Sequence, residues 1–375
     1  MSVSAVRVDL GAIRGNVAAL KERAGDAAVM AVVKADGYGH GMIESARAAL
    51  DGGATWLGVA MADEALALRA AGIDAPALAW LLGPTDEWQS VIGAQVDVGV
   101  YAEWALDKAV AAAAVTGCPS RVHLKVDSGL GRGGAQPSAW PDLVDAAAKA
   151  QADGAVEVIG IWSHLAYADN PSHPTIEAQR RTFEEALGLA ARAGLQPPIR
   201  HLANSAATLQ LPQTHYDLVR PGVAIYGLSP GPDVGDAREL GLTPAMRLTS
   251  RVALTKQVPA NHGVSYGHRY TTSAETMLAL VPLGYADGVP RHLTNLGEVA
   301  IGGKRYRIAG TVCMDQFVLD VGDDAVTAGD EVVLFGAGAS GEPTADEWAA
   351  AIGTINYEIV SRVGARVPRI YEGAQ

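Results

Sequence analysis

Lys34 ends an apolar run, Val29-Met30-Ala31-Val32-Val33, and opens onto Ala35-Asp36-Gly37-Tyr38-Gly39-His40-Gly41. Consecutive β-branched and apolar residues read as a buried strand. A lysine at the end of such a strand is poorly hydrated. Desolvation disfavours its ammonium form, so its amine becomes a usable nucleophile or base. A strand-end lysine also snorkels to solvent with no chemical role. The glycines at 37, 39 and 41 favour the chemical reading, because they mark close backbone approach or unusual backbone angles. Further reactive groups end later apolar runs. One run closes on Lys125-Val126-Asp127-Ser128-Gly129-Leu130-Gly131-Arg132-Gly133-Gly134. Others close on Ser163-His164, on His201-Leu202-Ala203-Asn204-Ser205 and on Arg220-Pro221-Gly222-Val223. Ser205 and the amides after Arg220 form a candidate phosphate cradle, since a hydroxyl and exposed N–H groups hold an anion well. Ser205 reads equally as the cap of the helix that follows it, and the two roles are compatible. His164, taken alone, reads equally as a satisfied core histidine.

The elements that would position these groups alternate regularly. Strand candidates fall at 29–33, 55–60, 77–82, 96–101, 121–126, 156–164, 199–202 and 216–220. Alanine-rich amphipathic segments lie between them, among them 61–71, 102–115, 141–152 and 175–193. This rhythm predicts an α/β fold with a (β/α)8 barrel, and a doubly wound open sheet is the alternative. In a barrel the polar strand ends share one rim, where active sites lie, and phosphate sites favour the last two βα loops. After about residue 243 the pattern changes to strands at 246–258, 276–283, 298–301, 306–310, 316–321 and 331–335. One helix is expected at 344–352, opened by a capping box of Thr344 and Glu347. The expectation is therefore a barrel domain over 1–240 and a mostly β C-terminal domain over 241–375. The turn-rich stretch 229–236 marks the boundary, or is a long barrel loop.

Composition narrows the class. The 375 residues are 49% hydrophobic and 19% charged, which suits a large buried core and argues against disorder. A formal net charge of −12 disfavours nucleic acid as a partner. The two cysteines, Cys118 and Cys313, form neither a disulfide framework nor a metal pattern, so no metal is expected. No apolar run is long enough for a signal peptide or a bilayer span, which leads to the expectation of a cytoplasmic protein without a membrane partner.

The run Val33-Lys34-Ala35-Asp36-Gly37-Tyr38-Gly39-His40-Gly41 resembles the pyridoxal-phosphate attachment signature of alanine racemases, enzymes of fold type III. The resemblance continues through His201 to Ala206, Val219 to Leu228 and Val264-Ser265-Tyr266-Gly267. It extends through Pro282 to Gly288, Cys313-Met314-Asp315-Gln316 and Ile355-Asn356-Tyr357-Glu358, in order along the chain. Asn261-His262-Gly263, where Gly-Glu-Gly is commoner, and Ser361, where some members carry cysteine, depart from the pattern. The resemblance implies a pyridoxal-5'-phosphate-dependent isomerase that interconverts L- and D-alanine and supplies D-alanine for peptidoglycan. It implies that Lys34 carries the cofactor and is one catalytic base, with Tyr266 the opposing base. Tyr38, Asn204, Ser205, Gly222, Val223 and Tyr357 are then cofactor-binding residues. Arg220 holds the pyridine nitrogen, with His164 orienting it. Arg132 meets the cofactor and the substrate carboxylate, Met314 binds substrate through its main chain, and Tyr285 gates the passage. Lys125 is a candidate for carbamylation. Tyr266 and Met314 come from the partner subunit in this family, so a homodimer is implied. Taken without these motifs, Tyr266 reads as an ordinary turn tyrosine. The alternatives are a fold-type III amino-acid decarboxylase, a non-enzymatic carrier of the cofactor, and a racemase of broader specificity. Arg220 argues against the decarboxylase, because arginine does not give up its proton and leaves the ring a weaker electron sink.

Overall fold

The computed structural model describes residues 3–373, so the outermost residues of both expected domains lie outside the described residues. A first strand, β1 (Ala5–Asp9), leads into helix Leu10–Ala24, which Asp9 caps by accepting the Ala12 N–H at 3.0 Å. Eight parallel strands follow. They are β2 (Ala28–Val32), β3 (Trp56–Val59), β4 (Ala77–Ala79), β5 (Asp97–Val100), β6 (Ser120–Lys125), β7 (Val156–Trp162), β8 (Ile199–His201) and β9 (Leu218–Val219). Helices cross between them, among them Glu103–Thr116, Trp140–Ala152 and Thr175–Arg192.

The sheet order is β8-β7-β6-β5-β4-β3-β2-β9. Each strand from β2 to β8 lies beside its sequence neighbour, so the order never reverses as a doubly wound sheet requires. The two end strands meet through the Asp217 N–H to Arg200 O (3.1 Å) and the Arg220 N–H to Ala203 O (3.0 Å), which nearly closes the barrel. Strands buried on both faces need apolar residues on both, and Val29, Ala31, Leu57, Val59, Val98 and Leu124 are fully buried. A separate inner cluster of Met30, Trp56, Leu78, Ile159 and Leu218 fills the barrel.

The C-terminal half is mostly β. Strands β10 (Met246–Arg251), β11 (Leu254–Val258), β12 (Gly263–Val264), β13 (Tyr270–Thr271), β14 (Thr276–Val281), β15 (Glu298–Ile301), β16 (Lys304–Arg307), β17 (Phe317–Gly322), β18 (Glu331–Phe335) and β19 (Arg369–Glu372) build three sheets. The largest runs β16-β15-β18-β10-β1-β19, so strands from both ends of the chain join it. The expected strand 246–258 is two strands in different sheets: β10 pairs with β1 and β18, and β11 with β14. Between them the Val252 N–H bonds to Asp330 O at 2.9 Å and the Ala253 N–H to Leu280 O at 2.8 Å, handing the chain from one sheet to the other. Thr344 and Glu347 form the expected capping box, with bonds of 3.1 and 2.7 Å, on helix Ala345–Ile352. A second helix, Asn356–Ser361, follows it. Among the described residues no helix is long and apolar enough to cross a membrane.

Candidate active site

Lys34 is separated from the end of β2 by one residue, Val33, and the chain then makes a left-handed turn. Ala35, Asp36, Gly37, Tyr38 and Gly39 have φ of 54°, 52°, 62°, 53° and 81°. The left-handed region costs a non-glycine residue about 1–2 kcal/mol, so Ala35, Asp36 and Tyr38 are held there by their surroundings. Glu64, at the start of helix Ala62–Ala70, accepts the amides of Ala35 (2.6 Å), Ala60 (2.9 Å) and Met61 (3.0 Å). Asp36 accepts the Met42 N–H at 2.9 Å. His40, fully buried, reaches the carbonyls of Gly37 and Tyr38 through Nδ1, both at 3.0 Å. Gly39 is required by close approach, because a Cβ there would lie 2.3 Å from Val360 O. Burial lowers the Lys34 pKa, the neighbouring Arg132 lowers it further, and Glu64 opposes both.

Tyr38, Ser205 and Gly222 converge across the rim. The Ser205 hydroxyl accepts the amides of Gly222 (2.8 Å) and Ala224 (3.4 Å). A Cβ on Gly222 would stand 2.3 Å from the Tyr38 hydroxyl, so only glycine admits that ring. The helix cap is Asn204, whose Oδ1 accepts the Ala207 N–H at 3.1 Å. Ser205 is thereby released from capping and turns to the last loop, where Val223 lies buried. Tyr357 comes in from the C-terminal half, its ring centroid 6.1 Å from that of Tyr38. Burial pushes the Tyr38 phenol up to about 12 and raises that of Tyr357 as well, so both are neutral donors at ordinary pH.

Arg220 is 5% exposed and tightly held. It donates to Ser163 O (2.7 Å), Leu202 O (3.1 Å) and His201 Nδ1 (3.1 Å), with His164 Nδ1 at 3.3 Å. Nη2 faces three of these acceptors and Nη1 one, so the Nε–H and one Nη1 N–H remain for a ligand. Burial pulls Arg220 down to about 9, which still leaves it charged at neutral pH. Burial, with Arg220, Arg132, Lys125 and Lys34 around it, holds His164 well below the usual imidazole range. Lys125, at the end of β6 with its Nζ 4.4 Å from the Trp162 ring, is lowered to about 8 by burial, then by Arg220 and Arg132. Arg132 is exposed on a loop organised by Asp127, which accepts the amides of Gly129 (3.0 Å), Leu130 (2.9 Å) and Gly131 (3.1 Å).

Three expected site residues lie apart from this rim, on the C-terminal half. Tyr266 is 75% exposed, Met314 53% and Tyr285 43%. The pocket beside Tyr266 is lined only by C-terminal residues, among them Ser265, His268, Cys313 and Phe317. Ser265 has φ 61° and ψ −171°, a region that is essentially glycine's own. It is held by its hydroxyl's bond to Thr311 O at 2.7 Å. Among the described residues no group of three or more His, Cys, Asp or Glu is placed to hold a metal ion.

The model of the alanine racemase N-terminal domain matches residues 8–230, and that of the alanine racemase C-terminal domain matches 245–371. The chain belongs to the alanine racemase family. It is 65% identical over 364 residues to an alanine racemase of Frankia casuarinae, covering 97% of this chain and 95% of that one. It is 61% identical to one of Salinispora tropica, covering 98% of each. Among solved structures, the alanine racemase of D-cycloserine-producing Streptomyces lavendulae superposes with a TM-score of 0.99 at 52% identity, over 100% of this chain and 98% of that one. The alanine racemase of Clostridium difficile 630 gives 0.93 at 33% identity, over 99% and 96%.

Within this alanine racemase fold, sequence reasoning missed Glu64 and Asp127, which brace the loops bearing Lys34 and Arg132. Both carried a local signal. Glu64 stands three residues after Met61 at a helix start, and Asp127 precedes a glycine-rich turn. It also missed the polar face of β6, where Arg121, His123 and Lys125 alternate with Val122 and Leu124. A strand with period-2 polarity inside a barrel points those residues at its interior.

Proposed function

We propose that this chain interconverts L- and D-alanine as a pyridoxal-5'-phosphate-dependent racemase in the cytoplasm, working as a homodimer. The observation that carries the reading is Arg220: buried, locked to two carbonyls and a histidine, and left with a donor for a ligand. The residues present fit the cofactor. The Ser205 hydroxyl, which the Gly222 and Ala224 amides orient and leave free to donate, the Val223 amide, Tyr38 and Tyr357 would hold its phosphate, with Asn204 shaping the cradle by capping the helix. Arg220 would hold the ring nitrogen, with His164 beside it, and Lys34 would carry the attachment. When bound, the cofactor withdraws electrons from the amino acid's Cα and makes its proton removable.

Racemisation then needs a proton taken from one face of Cα and one delivered to the other. Burial makes the Lys34 amine less basic, so its Nζ accepts and returns a proton nearer neutral pH. Tyr266 Oη is the opposing group. Arg220 keeps its own proton and would leave the ring nitrogen unprotonated, a weaker electron sink that would favour proton exchange over decarboxylation. Arg132, exposed and carried on a braced loop, would meet the substrate carboxylate, and the Met314 main chain would assist. The exposure of Tyr266 and Met314, and a Tyr266 pocket built only from the C-terminal half, favour their serving the rim of a second copy of the chain. Tyr285, on the same surface, would then border the substrate passage. D-alanine for peptidoglycan is the product use this reading implies.

The test is incubation with L-alanine in deuterated water, following D-alanine and Cα deuteration, with L-serine in parallel. Tyr266→Phe should abolish racemisation while the cofactor's absorption stays. Ethylamine as product, or full activity of Tyr266→Phe, would overturn the reading.

A further inference from the structure

Below Arg220 a single file of hydrogen bonds runs through the barrel interior to its opposite end. His201 Nδ1 meets the Arg220 guanidinium at 3.1 Å, and His201 Nε2 meets His123 Nδ1 at 2.9 Å. His123 Nε2 meets Asp97 Oδ2 at 3.1 Å. Arg121 grips Asp97 through Nε (2.7 Å) and Nη2 (3.2 Å). Asp97, His123 and His201 are 0–1% exposed. Asp97 opens β5, so the file ends at the face of the barrel opposite the site.

The order of donors in this file is determined by its ends. Arginine only donates, so His201 Nδ1 accepts and its proton sits on Nε2. His123 Nδ1 must then accept and its Nε2 must donate, which the carboxylate at Asp97 receives. We propose that His123 and Asp97 are positioning residues for Arg220: they hold both histidines as neutral Nε2–H tautomers, so that His201 presents a bare nitrogen to the guanidinium. The opposite order would set a His201 N–H against an arginine N–H. A second observation supports the arrangement. Gly160 on β7 faces the His123 ring, and a Cβ there would stand 2.4 Å from Nδ1, so the strand has given up its side chain to seat that ring. The His201 ring also stacks on Trp162 (5.5 Å, 7° between planes), which fixes its plane. Barrel interiors are ordinarily filled with apolar layers, and buried ionic groups add little stability over such packing. Three buried polar side chains in series here serve Arg220.

The inference rests on Arg220 as the cofactor's ring partner, and its test separates the two. Holoenzyme labelled with 15N in the histidine rings reports tautomers directly. Both His123 and His201 should be Nε2–H. In Asp97→Asn, Arg121 takes the one amide oxygen and the amide N–H faces His123, so both tautomers should flip. kcat should then fall roughly 10- to 100-fold, by analogy with removing the partner that orients a metal-bound histidine, with KM for alanine little changed. Gly160→Ala should lower kcat likewise, by displacing the His123 ring with every polar group still present. If Asp97→Asn fails to fold, the wild-type spectrum and Gly160→Ala decide. A wild-type Nδ1–H or cationic form at either histidine overturns the inference, as does wild-type kcat in a folded, cofactor-loaded variant. Failure of the function reading shows instead as wild-type holoenzyme with the expected tautomers that leaves L-alanine unchanged.

Discussion

His40 offers a prediction with a sign and a crossing point. Its ring is fully buried, stacked on Tyr226 with centroids 4.4 Å apart, and its Nδ1 serves two carbonyls of the Lys34 turn. Its Nε2 is buried without a partner, and burial pushes its pKa down to about 4. The unfolded imidazole titrates near 6.5. Between about pH 6.5 and 4 the unfolded chain therefore binds a proton that the folded chain refuses. Stability rises with pH across that window and is lost as pH falls through it. For a folded pKa near 4, the loss from this group reaches about 2 kcal/mol by about pH 5. His40→Phe keeps an aromatic ring against Tyr226 but leaves the Tyr38 carbonyl bare, while Gly37 O retains the backbone N–H of residue 40 (3.0 Å), at a cost of about 1–3 kcal/mol near neutral pH. The variant should be the less stable protein at about pH 7 and should draw level with wild type near pH 5, because it has no proton to bind. Urea unfolding of both proteins, at one protein and one cofactor concentration, measures the gap. A gap unchanged between the two pH values refutes the argument, because it would mean that the folded state accepts the His40 proton as readily as the unfolded state does.

Other consequences are as direct. Lys125, lowered to about 8 from the ordinary 10.5, carries roughly 300-fold more neutral amine near neutral pH than a free lysine. That amine should add carbon dioxide, forming an N–C bond and releasing one proton, and 13C-bicarbonate should give a carbamate signal that Lys125→Ala loses; a free amine in intact protein contradicts this. Glu64→Gln leaves one carbonyl oxygen for three amides now held by a carboxylate. It should cost about 1.5–3 kcal/mol in denaturant unfolding. It also removes a charge that raises the Lys34 pKa, so the acid limb of kcat should move to lower pH.

The barrel was legible because its strands are apolar on both faces and its polar groups sit at strand ends. Lys34, Lys125, His164, Ser205 and Arg220 share one region because eight sequential parallel strands nearly close on themselves. What escaped depended on contacts between segments distant in the chain. Strand β1 is a short segment whose partners on either side, β10 and β19, lie hundreds of residues away. The two-strand split of 246–258 depends on Asp330 and Leu280, which no local pattern reveals. The chain from Arg220 to Asp97 links β9, β8, β6 and β5, and its histidines look like isolated core residues until the barrel assembles them. Asn204, not Ser205, caps the helix, a choice that turns on a neighbouring loop needing the serine's oxygen.

The left-handed turn after Lys34 explains how the two halves of the chain meet at one site. Three of its residues occupy a conformation costing about 1–2 kcal/mol each, so an ordinary right-handed helix start would be locally easier. The turn persists because carboxylates and an imidazole on three sides, Glu64, Asp36 and His40, absorb its backbone groups. In return it seats Tyr38 against Gly222 of the last barrel loop, and Gly39 against the Val360 carbonyl on the helix that carries Tyr357. Each of these contacts leaves no room for a Cβ. A relaxed turn would still present Lys34 at a strand end, but it would separate that lysine from the tyrosines and the Ser205–Gly222 cradle. The local strain and the glycines are therefore two halves of one device. The glycines let segments from β2, β9 and the C-terminal half approach within contact distance, and the strain is what holding them there costs.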